Sequence, residues 1–188
     1  MKTLIIISGK RSCGKDTVAS LIKTFYEKQN KTIKILPVAY ATKVGYCQKF
    51  NLDLERMVND YEFKEQHRQG LCDYFYASED FDWYADYVIE QIMKVESDVY
   101  IIPDLRLKSH LVKFEKLFEF LKDFNKLIVR INSTEESRCS RGWVSKTCDL
   151  DFTEIDLDNY KFDNVINNDS TIDDLDKKII ELLVINKC

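Results

Sequence analysis

Proline and histidine each occur only twice in these 188 residues, and glycine only five times. That scarcity leaves no proline- or glycine-rich stretch to serve as a linker or low-complexity segment, and no internal repeat is visible. His67 and His110 are the only imidazoles. The six cysteines, Cys13, Cys47, Cys72, Cys139, Cys148 and Cys188, show neither a C-x-x-C pair nor metal-ligand spacing, which argues against a Cys/His zinc site. Scattered thiols of this kind suit a reducing cytosol. No apolar run approaches membrane-spanning length. The N-terminal run Leu4–Ile7 is too short for a signal peptide and leads into a glycine motif rather than a cleavage site. A cytoplasmic protein with no membrane partner is therefore expected. Basic residues are not in excess either: 28 Lys and Arg against 32 Asp and Glu leave a net charge of -4. That balance argues against a nucleic-acid partner.

What is present is a regular alternation of strand-like and helix-like segments. Thr3–Ser8 is a β-branched run bounded by glycine and reads as a buried strand. Lys15–Gln29 carries Val18, Leu21, Ile22, Phe25 and Tyr26 at helical spacing. Ile33–Val38 reads as a second strand, and Ala41 to about Lys94 as helical with breaks near Asn51, Asn59 and Asp80. Val99–Pro103 is a strand ending in Asp104, Lys108–Lys122 a helix, and Lys126–Ile131 a strand. After a polar, acidic stretch from Gly142 to Tyr160, Asn164–Asn167 forms a last short strand and Ile172–Ile185 a closing helix. This order predicts one α/β domain over residues 1–188, with a parallel sheet covered on both faces.

The segment Gly9-Lys10-Arg11-Ser12-Cys13-Gly14-Lys15-Asp16 carries the chemistry. It is a G-x-x-x-x-G-K sequence set between a predicted strand and a predicted helix, where a P-loop must lie. The glycines let successive N–H groups face a phosphate chain, and the helix N-terminus adds its positive dipole end. Lys15 reaches the β- and γ-phosphates of ATP as a mobile cation. Asp16 stands where a magnesium-binding hydroxyl is usual; a carboxylate is also a hard ligand for Mg2+, or else a first-turn acid on the helix dipole. Thr17 is the weaker candidate. Lys10 and Arg11, inside the loop, suit a second anion, the phosphate of an acceptor.

Asp104 emerges at the same sheet edge, placed to bind hydrated magnesium or orient the attacking oxygen, or to serve as an ordinary turn aspartate. Arg106 can clamp a phosphate. Arg138 and Arg141, three residues apart before Gly142, share a helix face and suit a closing lid that neutralises the transferring phosphoryl. Lys64 and Arg68, at i and i+4 within Tyr61–Leu71, are candidates for the acceptor pocket. The aromatics between Asp73 and Tyr87 fall at helical spacing, which points first to core packing. No catalytic role falls to His67 or His110.

These residues resemble the animal-type phosphomevalonate kinases, a branch of the nucleoside monophosphate kinase-like P-loop fold. The resemblance runs through S-G-K-R-S-C-G-K-D, Asn51-Leu52-Asp53-Leu54, Phe63-Lys64-Glu65 with Arg68, and Asp104-Leu105-Arg106. It continues with Ser137-Arg138, Arg141-Gly142-Trp143, Glu154 and Leu157-Asp158-Asn159. It implies a five-stranded parallel sheet, an acceptor-side helical region at about 41–95 and a lid at about 138–160. It also implies phosphate handling by Lys10, Arg11, Lys15, Asp16, Lys64, Arg68, Arg106, Arg130, Arg138 and Arg141, and transfer from ATP to a phosphate monoester. The chain departs from that pattern at Ser12, at Leu107 and over Asp73–Ser78, where cations are replaced. A second resemblance, to viral deoxynucleoside monophosphate kinases, rests on Ser8–Ala19 and Ile102-Pro103-Asp104-x-Arg106. Tyr74, Phe75, Trp83 and Tyr84 would suit a nucleobase in such an enzyme. The altered acceptor side also leaves open a nucleotide-binding regulator without catalysis. Monomer and homodimer both remain open.

Overall fold

The computed structural model describes residues 1–78, 81–145 and 150–188. Cys148, the part of the expected lid at 146–149 and the expected break near Asp80 lie outside the described residues. The chain runs β1 (Lys2–Gly9), α1 (Lys15–Glu27), β2 (Ile33–Ile35), α2 (Val38–Phe50), α3 (Leu54–Asn59), α4 (Tyr61–Gln66), α5 (Arg68–Tyr76) and α6 (Asp82–Lys94). It continues with β3 (Val99–Leu105), α7 (Lys108–Phe120), β4 (Phe124–Asn132), α8 (Glu135–Ser140), α9 (Phe152–Ile155), β5 (Asn164–Asn167) and α10 (Ile172–Ile185). The five strands form one parallel sheet in the order β2-β3-β1-β4-β5.

β1 is central and paired on both sides, so it is apolar on both faces, as a buried parallel strand must be. Leu4 and Ile6 face a core shared with α2, α6 and α7, while Ile5 and Ile7 face α1 and α10. A third, smaller cluster joins Tyr46, Cys47 and Met57 to Leu54, Phe63 and Leu71 on the acceptor side. Gly45 and Gly70 give it room, because a Cβ at either would meet a tyrosine hydroxyl within 2.5 Å.

Three boundaries differ from the sequence expectation, each for a physical reason. β2 stops at Ile35 and α2 begins at Val38, not Ala41, because Pro37 breaks the strand and Asp104 then starts the helix. The Asp104 carboxylate accepts from the N–H groups of Val38 (2.6 Å) and Ala39 (2.8 Å). This carboxylate supplies the cap that Pro37 has no side-chain polar group to give. β3 runs on through Pro103 to Leu105. Its register with β1 shifts between Ile6 and Ser8, and β2 pairs only as far as Ile101, so the missing proline N–H falls where the ladder is already interrupted. The expected helix Tyr61–Leu71 is broken at His67, which separates α4 from α5.

His110 is buried in α7 with Nε2 bonded to the Phe81 carbonyl at 2.7 Å and Nδ1 lacking a partner among the described residues. Burial lowers its pKa below the ordinary 6.5, against the opposing pull of the Phe81 carbonyl, Asp82 and Asp104. The neutral ring is thus the folded form. Its contribution is fully present above pH 6.5 and is lost as pH falls through the lower folded value. In that window the wild-type chain should lose up to about 1.4 kcal/mol per pH unit. Denaturant titrations from pH 8 to pH 5 should show that slope in the wild type and its absence in His110→Leu.

Candidate active site

The loop after β1 closes over its own lysine. Gly14 has φ 97, a left-handed conformation that favours glycine, and a Cβ there would lie 2.3 Å from Asn168 Nδ2. Gly9 is equally confined, since a Cβ would lie 2.5 Å from both Cys13 Sγ and the Ile131 carbonyl. Asn168, buried just after β5, donates to the Cys13 carbonyl at 3.0 Å and so ties the loop to the far edge of the sheet. Lys15 is folded back, its ammonium donating to the Gly9 and Lys10 carbonyls at 2.7 Å each. Desolvation lowers its pKa and nearby Arg106 adds to that effect, while Cys13, Glu154 and Asp16 oppose it. Gly9, Lys10, Arg11, Ser12, Cys13, Gly14, Lys15, Asp16 and Thr17 therefore form one turn whose end opens the long helix α1. Asp16 and Thr17 are exposed at that helix start.

Other cations converge on this loop from distant parts of the chain. Arg130 on β4 is buried, donating to Ser8 Oγ at 3.0 Å and to Asp158 at 3.0 Å. Lys10 meets the same Asp158 at 2.7 Å. Arg106, just past β3, pairs with Glu154 of α9. Arg138 reaches the Arg11 carbonyl at 3.4 Å and lies 4.1 Å over the Trp143 ring, a cation–π contact. Arg11 in turn donates through its side chain to the Val144 carbonyl at 2.8 Å. Beside these groups lies a cavity of about 700 Å³ lined by Lys10, Arg130, Arg138, Asp158 and Tyr160 among others.

Not every expected residue joins them. Arg141 does not share the direction of Arg138. It caps α8, and its guanidinium turns to the Ser137 and Asn168 carbonyls, at 2.8 and 2.9 Å, and to Ser133. Lys64 and Arg68 stand on separate helices rather than on one face, and Arg68 pairs with Glu65 at 2.8 Å. Asp104, expected at a metal, is 9% exposed with both oxygens on the α2 N-terminus. Desolvation raises its pKa, against the Ala39 and Val38 hydrogen bonds and the nearby Arg106 and Lys15. The geometry gives this carboxylate to the helix. Among the described residues no three His, Cys, Asp or Glu side chains are grouped to hold a metal ion.

Two residues escaped the sequence reading. Lys43 of α2 is partly buried, and its pKa is lowered by desolvation and by Lys64, against the attraction of Asp104 and Asp16. The charges it feels thus come both from α4 and from residues beside the loop. Its only sequence signal was its distance of a few residues from the end of β2. Asn168 had none, because its partner is 155 residues away.

A parallel sheet of order 2-3-1-4-5, with this loop after the central strand and cations gathered at its carboxyl edge, defines a P-loop kinase. Comparison with known proteins narrows the class. A family model described as phosphomevalonate kinase matches residues 7–120, more than half of the chain. The chain belongs to the phosphomevalonate kinase family. A phosphomevalonate kinase of Drosophila melanogaster is 26% identical over 191 residues, covering 98% of this chain and 96% of that one. Among solved structures, an APS kinase of Mycobacterium tuberculosis in complex with AMPPNP and APS superposes with a TM-score of 0.59 at 13% identity. It covers 97% of this chain and 98% of that one. Shikimate kinase of Aquifex aeolicus gives 0.53 at 15% identity, covering 98% of each. At such identities these two speak for the fold alone. Family membership favours the first of the two resemblances over the viral nucleotide kinases, and a phosphotransferase over a regulator without catalysis.

The fit of Asn168 against Gly14 makes a prediction. Gly14→Ala should destabilise the chain by about 2 kcal/mol through backbone strain and collision. Asn168→Ala in the same chain should recover only part of that, since the positive φ remains. Denaturant midpoints of the two single variants and the double variant would check it; full recovery would show that collision alone matters.

Proposed function

We propose that this chain transfers the terminal phosphoryl of ATP to the phosphate of phosphomevalonate, giving ADP and diphosphomevalonate. The observation that carries this reading is the convergence of Lys10, Lys15, Arg106, Arg130 and Arg138 around one P-loop. Two phosphate groups brought together for reaction repel each other, and a surplus of fixed cations is what such a reaction needs.

In this reading an acceptor phosphate oxygen attacks the γ-phosphorus in line while the bond to the β,γ-bridging oxygen breaks and ADP leaves. A phosphate monoester has its second pKa at about 6, so the attacking oxygen is already ionised near neutrality and needs no general base. This agrees with the placement of both histidines outside the loop's surroundings: His67 packs on Tyr46 and Phe63, and His110 on the Phe81 carbonyl. Lys15 and the loop amides hold the ATP phosphates. Arg106, Arg130 and Arg138 bear on the transferring group and the acceptor, with Lys10 and Arg11. Lys64 joins Lys43 at the acceptor end. Arg68 and Arg141 could take part only after leaving their present partners.

A magnesium ion would fit this site through one protein carboxylate, a hard oxygen ligand. Asp16, exposed at the first turn of α1, is the residue for that contact. When bound, the ion neutralises phosphate charge.

The aromatic residues speak against a nucleobase acceptor. Phe75 packs on Phe81, Tyr84 and Phe152, with ring centroids 4.9 to 6.5 Å apart. Tyr74 packs on Tyr46, with its hydroxyl against Gly45, and Trp83 on Tyr84 and Tyr87. Each of these rings already packs on its neighbours. Among the described residues no helix is long and apolar enough to cross a membrane. We place the enzyme in the cytoplasm because its six cysteines are scattered along the sequence, a usage that suits a reducing compartment.

Lys15→Ala should lower turnover by roughly a hundred- to a thousandfold while leaving the unfolding transition cooperative. Near-normal turnover would sink the mechanism. Lys43→Met should raise the acceptor KM about tenfold and change the ATP KM much less. Equal changes in both would remove Lys43 from the acceptor end.

A further inference from the structure

α9 and the residues after it bring carboxylates back onto the cations of the loop. Glu154 is 8% exposed. One of its oxygens accepts from the Arg11 backbone N–H at 2.8 Å, and the other pairs with Arg106. Lys15 lies within electrostatic reach. Four residues on, Asp158 bridges Lys10 and Arg130. A loop amide and a guanidinium on one buried anion are donors of the kind a phosphoryl group takes.

The position along the loop says which phosphoryl. The amides at the start of α1 belong to one phosphate of the chain. Arg11 lies toward the other end of the loop and shares Glu154 with Arg106, and on the ATP reading that end takes the terminal phosphate. The strap that carries Glu154 is fixed there by contacts of its own. Phe152 packs on Phe81 at 5.4 Å and on Tyr76 at 5.8 Å, and Asp156 accepts from the Lys108 N–H at 2.7 Å.

We propose that the Glu154 carboxylate is an internal stand-in for the terminal phosphoryl of ATP, holding Arg106 and the Arg11 amide until that phosphoryl displaces it. Two anions cannot share these donors without strong repulsion, so ATP binding lifts the strap Asp151–Asp158 from the loop and ADP binding does not. The apparent affinity for ATP is then lowered by the fraction of chains in which the strap is closed, and the affinity for ADP is not. This inference rests on the reading of the loop as an ATP site.

Glu154→Gln keeps the side-chain volume and removes the charge. Calorimetric titration with AMPPNP should show binding about tenfold tighter than wild type, and titration with ADP a change of less than about twofold. Equal gains with both nucleotides, no gain, or weaker AMPPNP binding would overturn the proposal. A second measurement needs no variant. In the wild-type chain, hydrogen exchange at the Lys108 amide should quicken with AMPPNP and not with ADP, and unchanged protection with AMPPNP refutes the displacement. Wild-type chain that binds neither nucleotide would refute the ATP reading and this inference with it. Wild-type binding of both, with Glu154→Gln unchanged, would refute this inference alone.

Discussion

Lys10, Lys15, Arg106 and Arg130 are brought to one end of the sheet, Lys15 and Arg130 buried and Lys10 and Arg106 partly exposed. Two like charges 4 Å apart at an effective dielectric constant near 20 repel by about 4 kcal/mol. The fold meets that repulsion with anions and carbonyls. Lys15 turns into the loop carbonyls, Arg106 takes Glu154, and Asp158 serves both Lys10 and Arg130. The placement of the segment before β5 follows, because its Glu154 and Asp158 are held on these cations. Phosphates are anions of the same kind as these carboxylates and suit the same cations.

The departures from the family pattern have a physical reading on the same terms. Leu107, where a second arginine would stand, is buried at the start of α7, and a charge there would have to be desolvated. Ser12 lies exposed at φ 60, on the open side of the loop. Lys43 lies on the helix that Asp104 starts, and its charge is coupled to Lys64, Asp104 and Asp16. The cap on α2 and the charge of the site are thus linked through one aspartate.

Much of this was legible in the sequence. The loop, the five strands and the closing helix Ile172–Ile185 could be placed from periodicity and glycine position, because local spacing decides them. What escaped was settled over long range. Asp104 looked like a metal ligand because it ends a strand at the right edge, yet its partners lie 65 and 66 residues earlier in the chain. Glu154 was visible only as part of a family resemblance; its bond to Arg11 spans 143 residues. The break at His67 escaped as well, because the flanking segments both read as helix.

The central claim, that cations gathered around this loop serve transfer between two phosphates, is tested most directly by turnover. Purified chain with MgATP would be assayed for ADP release against phosphomevalonate and against each common ribonucleoside and deoxynucleoside monophosphate. The account predicts saturable turnover with phosphomevalonate, on the order of 1–100 per second, and none above background with the nucleotides. Turnover with a nucleoside monophosphate and silence with phosphomevalonate would contradict it.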